Sequence, residues 1–287
     1  MEIKFNKQFS PITALPFSKN RAYREVAPCF ALQPYIKCYW GSFDEIIAYD
    51  NRLYNDRLVT PDACIDIIIK ADNEKIKIKF CGLNQPPYYS SLISDNKCFV
   101  FAIRFYFWAI PFFILDNIEI VQSTQHNCDD CFPGISEYLN KSDFLCSNFD
   151  KKKVIIETFL LEKLNGTLNV SNNLLNSVDY LLKNRGALSV KELAEYSVVS
   201  ERTLERQFQF SLGISPKELL GLIRYQYLWR KILSTRNFDI QDEVYAFGFY
   251  DQAHLLNNFR KYHGLSLEKA IEYIKIHSDG FLQYNSD

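Results

Sequence analysis

The chain has 287 residues, enough for two domains, and 47% of them are hydrophobic, an ordinary share for a globular protein. A formal net charge of −1 gives no global attraction to nucleic acid, so any such role has to rest on local charge. No run of 18 uninterrupted apolar residues occurs, and the start "MEIKFNKQFSPIT" has no signal-peptide pattern, so a soluble cytoplasmic protein with no membrane partner is expected.

The first half is rich in short β-branched and aromatic runs: "CYWGSF", "RLVTPDACIDIIIKAD", "KIKIKFCGL" and "KCFVFAIRFYFW". Gly, Pro, Asn and Asp separate them, so they are predicted as strands of an antiparallel sheet or barrel. "KIKIKF" alternates strictly and is predicted at an edge or with one face exposed. After Ile110 the pattern turns helical, with "GISEYLNKSDFLCSNF" and "DKKKVIIETFLLEKLN" expected as helices packed on the sheet. Residues 1–165 are therefore read as a first domain, of the α+β class.

Three groups of residues in this half could carry chemistry. The aromatic run "FVFAIRFYFWAIPFF" offers Phe101, Phe105 and Trp108 as lining for a pocket that takes an apolar or aromatic effector; core packing is the stronger reading for each ring. "HNCDDC" offers His126, Cys128 and Cys131 as zinc ligands, but a single CxxC is a weak signal and a loop with incidental thiols is favoured. Asp62 and Asp66 in "PDACID" have no partnered nucleophile and no phosphate loop, and Asp62 reads as a turn residue. No enzyme active site and no cofactor is expected. All eight Cys lie within residues 1–165, and an even count in a cytosolic chain does not imply disulfides.

"GTLNVSNN", residues 166–173, is the best linker, and 174–287 is read as an all-α domain. That domain contains one short unit twice. "SERTLERQFQFSLGISP" starts at Ser200 and "DQAHLLNNFRKYHGLSL" at Asp251. Each opens on an N-cap, places Leu and Phe four apart on one face, and ends on Gly213 or Gly264 where a helix stops. A shorter apolar-periodic stretch precedes each. The two units are predicted as helix-turn-helix motifs over about 188–212 and 239–263, joined by one long helix with Pro216 at its first turn. Such a duplication on a rigid spacer suits two successive major grooves.

These motifs resemble the AraC/XylS family of bacterial transcription regulators. "SERTLERQF", "GISPKELL", "IRYQ" and "GFYDQAHLLNNF" carry the resemblance over roughly Ser189 to Tyr273. It implies a sequence-specific DNA-binding regulator with double-stranded DNA as partner. A small-molecule effector, a homodimer and RNA polymerase (for an activator) are the further partners in view. The chain departs from the family pattern at Val198, where the first turn usually has Gly, at Glu243-Val244, where Ile-Ala is usual, and at Leu267, where Pro is usual. Looser packing of the second unit, or a pairing of Glu243 with a neighbouring base, is expected. The N-terminal pieces Leu32–Trp40, Pro61–Ile67, Gly82–Pro86 and Arg104-Phe105 resemble, more loosely, a sensor domain found in front of such modules. The rival reading is a DNA-repair methyltransferase–regulator fusion using a reactive Cys.

In the first recognition helix the outer face is predicted to carry Arg202, Thr203, Glu205, Arg206 and Gln209, with Leu204, Phe208 and Leu212 inward. In the second it is Gln252, Ala253, His254, Leu256, Asn257 and Arg260. Arg suits guanine and Asn suits adenine through paired hydrogen bonds. From Ser200 to Arg236 seven bases face three acids, a local excess of +4 for phosphates.

Overall fold

The structure, a computed structural model, describes residues 3–12, 23–42, 57–71, 76–83, 86–90, 99–113, 129, 132–165, 170–235 and 238–277. His126, Cys128, Cys131 and Arg236 lie outside these residues.

The N-terminal half builds two antiparallel sheets from β1 (Tyr23–Val26), β2 (Ile36–Ser42), β3 (Arg57–Val59), β4 (Cys64–Ala71), β5 (Ile76–Cys81), β6 (Tyr88–Ser90) and β7 (Phe99–Tyr106). The larger sheet runs β1-β2-β7-β4-β5, and β3 pairs with β6. The alternation of "KIKIKF" matches its place: β5 is at the sheet edge, with Lys77 and Lys79 exposed and Phe80 buried.

Strand alternation gives the large sheet two different faces. Ile65, Ile67 and Ile69 of β4 and Phe101, Ile103 and Phe105 of β7 point to one face, and all are buried. Three helices adjoin it: α1 (Ile110–Phe113), α2 (Ile135–Lys141) and α3 (Phe149–Asn165). Ring contacts seal this side, Phe101 to Phe149 at 4.8 Å and Phe105 to Phe132 at 5.6 Å. Each buried side chain of this size contributes roughly 1.5–3 kcal/mol. The helix expected over "GISEYLNKSDFLCSNF" stops early, at Lys141, and α3 starts only at Phe149. Ser142 and Ser147 turn their hydroxyls back to the Leu139 and Asp143 carbonyls, which favours turns over helix there.

The other face carries a polar row. Cys38, Arg104, Asp66 and Cys81 are register neighbours across β2, β7, β4 and β5. Arg104 donates from Nε and Nη2 to the two Asp66 oxygens at 2.9 and 2.8 Å, and Trp40 Nε1 donates to Asp66 at 3.1 Å. Burial works against the Arg104 charge, but Asp66 and Asp62 more than offset it and hold the guanidinium well above its usual pKa. Asp62 also accepts from the Cys64 amide at 2.9 Å, as a turn residue does.

The C-terminal half is helical: α4 (Asn172–Lys183), α5 (Val190–Tyr196), α6 (Glu201–Leu212), α7 (Pro216–Ser234), α8 (Ile240–Ala246), α9 (Gln252–His263) and α10 (Leu267–His277). The α4 helix starts inside the segment read as linker, with Ser171 preceding it.

The two halves share one continuous core. Residues 3–12 form a strap between them. Phe5 and Phe9 pack edge-on against Trp108, at 5.5 and 6.3 Å between centroids. At the far end of the strap, Ile12 exchanges two hydrogen bonds with Gln226 of α7, at 2.7 and 3.0 Å. Gln226 also donates to Pro61 O at 2.8 Å, so this amide, only 2% exposed, ties α7 to both the strap and the loop before β4. Helix α1 packs on α3 and on α6.

Candidate nucleic-acid interface

Each unit is assembled by its own caps. Ser189 and Glu192 form a reciprocal capping box that starts α5. Ser200 Oγ accepts from the Thr203 amide at 3.2 Å and starts α6; Asp251 accepts from the His254 amide at 2.7 Å and starts α9. Both recognition helices end on a left-handed glycine, Gly213 at φ +69° and Gly264 at φ +82°. Leu204, Phe208 and Leu212 of α6 and Leu255 and Phe259 of α9 are fully buried.

That inward stripe sets what points out. Arg202, Glu205 and Arg206 are exposed, and Gln209 is half-buried beside them. Thr203 is half-buried, its hydroxyl 2.9 Å from Ser200 Oγ, so it serves the cap as well as the outer face. On α9, Gln252, Ala253, His254, Asn257 and Arg260 are exposed and Leu256 is half-buried. His254 turns its Nδ1 toward the Tyr250 amide at 3.4 Å, with its ring edge-on to Phe249. Phe210 is 75% exposed, one turn beyond Arg206. The sequence reading missed it, although Phe210 falls out of phase with the Leu204–Phe208–Leu212 stripe.

The copies differ at their turns. Leu193, Ala194 and Val198 match Glu243, Val244 and Gly248, whereas Ser200 matches Asp251, so the second turn is one residue longer. Both turns pass through a left-handed residue, Val198 at φ +54° and Gly248 at φ +65°. The β-branched Val198 is strained there. Leu193 is fully buried; its counterpart Glu243 instead extends to Lys231 of α7, Oε1 to Nζ 3.7 Å. Of the two outcomes expected for Glu243, the chain realises the pairing with a base.

The basic stripe is also sorted by the fold. Arg202, Arg206, Lys217, Arg230 and Lys231 are exposed. Arg224 is turned inward, donating to the carbonyls of Gly186, Leu188 and Gly248.

Phe101, Phe105 and Trp108, offered from sequence as pocket lining, are all buried against other rings. Phe101 and Phe105 lie on the helix-covered face by strand alternation, and Trp108 stacks on Tyr106 at 4.4 Å and donates to Pro34 O at 2.8 Å. As placed, these rings fill core positions.

The comparisons with known proteins follow this division. Residues 193–272 match the family model "Helix-turn-helix domain", and residues 24–126 match a domain of unknown function, DUF6597. No curated protein matches the chain. Among solved structures, the DNA-binding domain of the transcriptional factor AdpA in complex with a target DNA is 23% identical, covering 37% of this chain and 96% of that one, with a TM-score of 0.34. A regulator with an AraC-type DNA-binding domain from Chromobacterium violaceum is 24% identical, covering 39% and 95%, with a TM-score of 0.31. ToxT from Vibrio cholerae is 16% identical over 79% of this chain and 95% of its own, with a TM-score of 0.38. Two capped helix-turn-helix units on one spacer, matched by the helix-turn-helix model, define a DNA-binding transcription regulator. Residues 193–272 are, by that model, a helix-turn-helix domain.

Proposed function

We propose that the chain reads a two-element DNA site with the outer faces of α6 and α9, in successive major grooves about 10 bp apart. One observation carries this reading: both recognition helices bury a Leu/Phe stripe and leave Arg206 and Asn257 at matching exposed positions. Arg202, Arg206 and Asn257 are the base readers; Glu205, Gln209, Gln252, Ala253, Leu256 and Arg260 complete the surface. Thr203 and His254 support it from the caps. Residues 1–165 act as the regulatory domain, 166–173 as the linker and 174–287 as the DNA-binding domain. The protein works in the cytoplasm, with a homodimer, or RNA polymerase for an activator, as further partners.

Control runs through the strap in this reading. An effector or partner acting near Trp108 displaces Phe5 and Phe9, and the same strap holds Gln226 of α7 through Ile12. No catalytic step is involved. A methyl-accepting Cys needs a thiolate, which disfavours Cys38, Cys64 and Cys81: burial pushes the first two thiols well up and the third to about 11.

Footprinting tests the reading. The full chain is used to select duplexes from a random pool, and the enriched duplex is probed. Two protected elements about one helical turn apart are expected. Protection of a single groove would remove α9 from the interface.

A further inference from the structure

We infer that Arg224 sets the register between the two recognition helices, and so the base-pair spacing that the regulator accepts. The inference rests on the two-element reading above.

Arg224 lies near the middle of α7 and donates in two directions. Nε and Nη2 reach Gly186 O at 3.1 and 2.8 Å, and Nη2 reaches Leu188 O at 3.3 Å. Those carbonyls lead into α5, the first helix of unit one. Nη1 reaches Gly248 O at 3.3 Å, in the turn of unit two. The guanidinium also covers the Phe249 ring at 5.0 Å. One rigid planar fork therefore holds the entry of one unit and the turn of the other at a fixed separation, which a single ammonium cannot do.

The backbone is shaped to receive it. Gly186 has φ +72°, and a Cβ there would fall 2.5 Å from Leu220 O and 2.8 Å from the Arg224 amide nitrogen. Only glycine lets the entry loop lie this close to α7. The next residue, Ala187, meets unit two directly: a Cβ on Gly248 would stand 3.2 Å from Ala187 Cβ. The entry to the first unit and the turn of the second thus meet at this junction, and Arg224 is its polar fastener. Apolar helix faces on α7 tolerate small slides and rotations. A charge-assisted fork to three carbonyls has strict distance and angle demands. The contrast with Arg206 is direct, since that side chain is exposed and points away from the domain.

On DNA, one base pair inserted between the two elements turns the second by about 35°. A registered pair of units resists that turn, and an unregistered pair follows it. The test uses the duplex enriched by the wild-type full chain, resynthesised with the spacer changed by one and two base pairs either way. Wild type is expected to lose about ten-fold or more in affinity for a one-base-pair change. Arg224→Met is expected to lose affinity at the native spacing and to show less than about a three-fold difference among the spacers. Arg224→Lys keeps the charge and is expected to flatten the profile as well.

A steep profile retained by Arg224→Met overturns the inference. So does a flat-spacing phenotype rescued fully by Arg224→Lys with a salt slope restored by about one phosphate charge, the signature of a phosphate ligand. A wild type that enriches no duplex overturns the DNA reading itself, a separate result. Melting curves report whether each variant is folded. Where Arg224→Met is not, Ala187→Leu serves in its place, because it wedges the half-buried junction open while Arg224 stays. A folded Ala187→Leu with the wild-type profile also overturns the inference.

Discussion

Glu243 Oε1 lies 3.7 Å from Lys231 Nζ, and Glu243 occupies the position that the buried Leu193 holds in the first unit. The carboxylate is only 14% exposed, so it is partly desolvated and depends on Lys231 for compensation. Glu243→Leu is therefore expected to keep or raise the melting temperature. It also frees the half-exposed Lys231 for phosphate. The slope of log affinity against log salt on random duplex should then steepen by about 0.9, the value of one further neutralised phosphate. An unchanged slope would show that Lys231 faces no phosphate.

Arg206→Ala addresses base reading. The side chain is exposed and its removal leaves the Leu204–Phe208 packing intact. An Arg–guanine pair discriminates by about 1–3 kcal/mol. The variant should lose roughly ten-fold or more on the selected duplex and much less on a scrambled one. Equal losses on both would reassign Arg206 to phosphate and move base reading toward Glu205 or Asn257.

Val198→Gly addresses strain. Val198 is 89% exposed and sits at φ +54°, so its side chain packs on little while its Cβ opposes the backbone. Left-handed backbone costs an L-residue roughly 1–2 kcal/mol, and glycine's extra freedom in the unfolded chain returns about half of that. A net gain of about 0.5–1 kcal/mol, seen as a rise of about 1–4 °C in melting temperature, is expected. A fall in melting temperature would mean that Val198 makes a contact worth more than the strain.

His263 addresses pH. Burial lowers its pKa to about 4, against about 6.5 in an unfolded chain. Its Nδ1 lies 3.0 Å from the Tyr225 hydroxyl, and its ring stacks on Phe259 at 4.8 Å. The neutral ring is the folded form, so the unfolded chain binds the extra proton first. The stability it supports is fully present above about pH 6.5 and is lost as pH falls toward 4, about 2 kcal/mol of it by pH 5. Urea midpoints at pH 7.5 and 5.0 measure this, and His263→Phe should narrow the difference. Resolved titration of His263 near 6.5 in the folded protein would contradict it.

Much of the DNA-binding half was legible in the sequence because its determinants are local. Ser200, Asp251, Gly213 and Gly264 act through the first or last turn of their own helices, and the Leu/Phe spacing fixes which face is buried. The strands of the N-terminal half were legible from β-branched and aromatic runs between Gly, Pro, Asn and Asp, and the alternation of "KIKIKF" marked an edge or one-sided strand. The inward face of Phe101 and Phe105 was not, because alternation separates two faces without saying which one helices will cover.

By itself, then, the sequence determined two capped helix-turn-helix units, the exposed faces of their second helices and the strands before them, since each depends on near neighbours in the chain. Only the tertiary structure decided that Arg224 turns inward, that Glu243 takes Lys231, and that Gln226 ties α7 to Ile12, 214 positions earlier. A guanidinium, a carboxylate or an amide accepts many partners of equal chemical merit. Which one it meets is set by how the helices cross, and the crossing is fixed by the packing of the whole core.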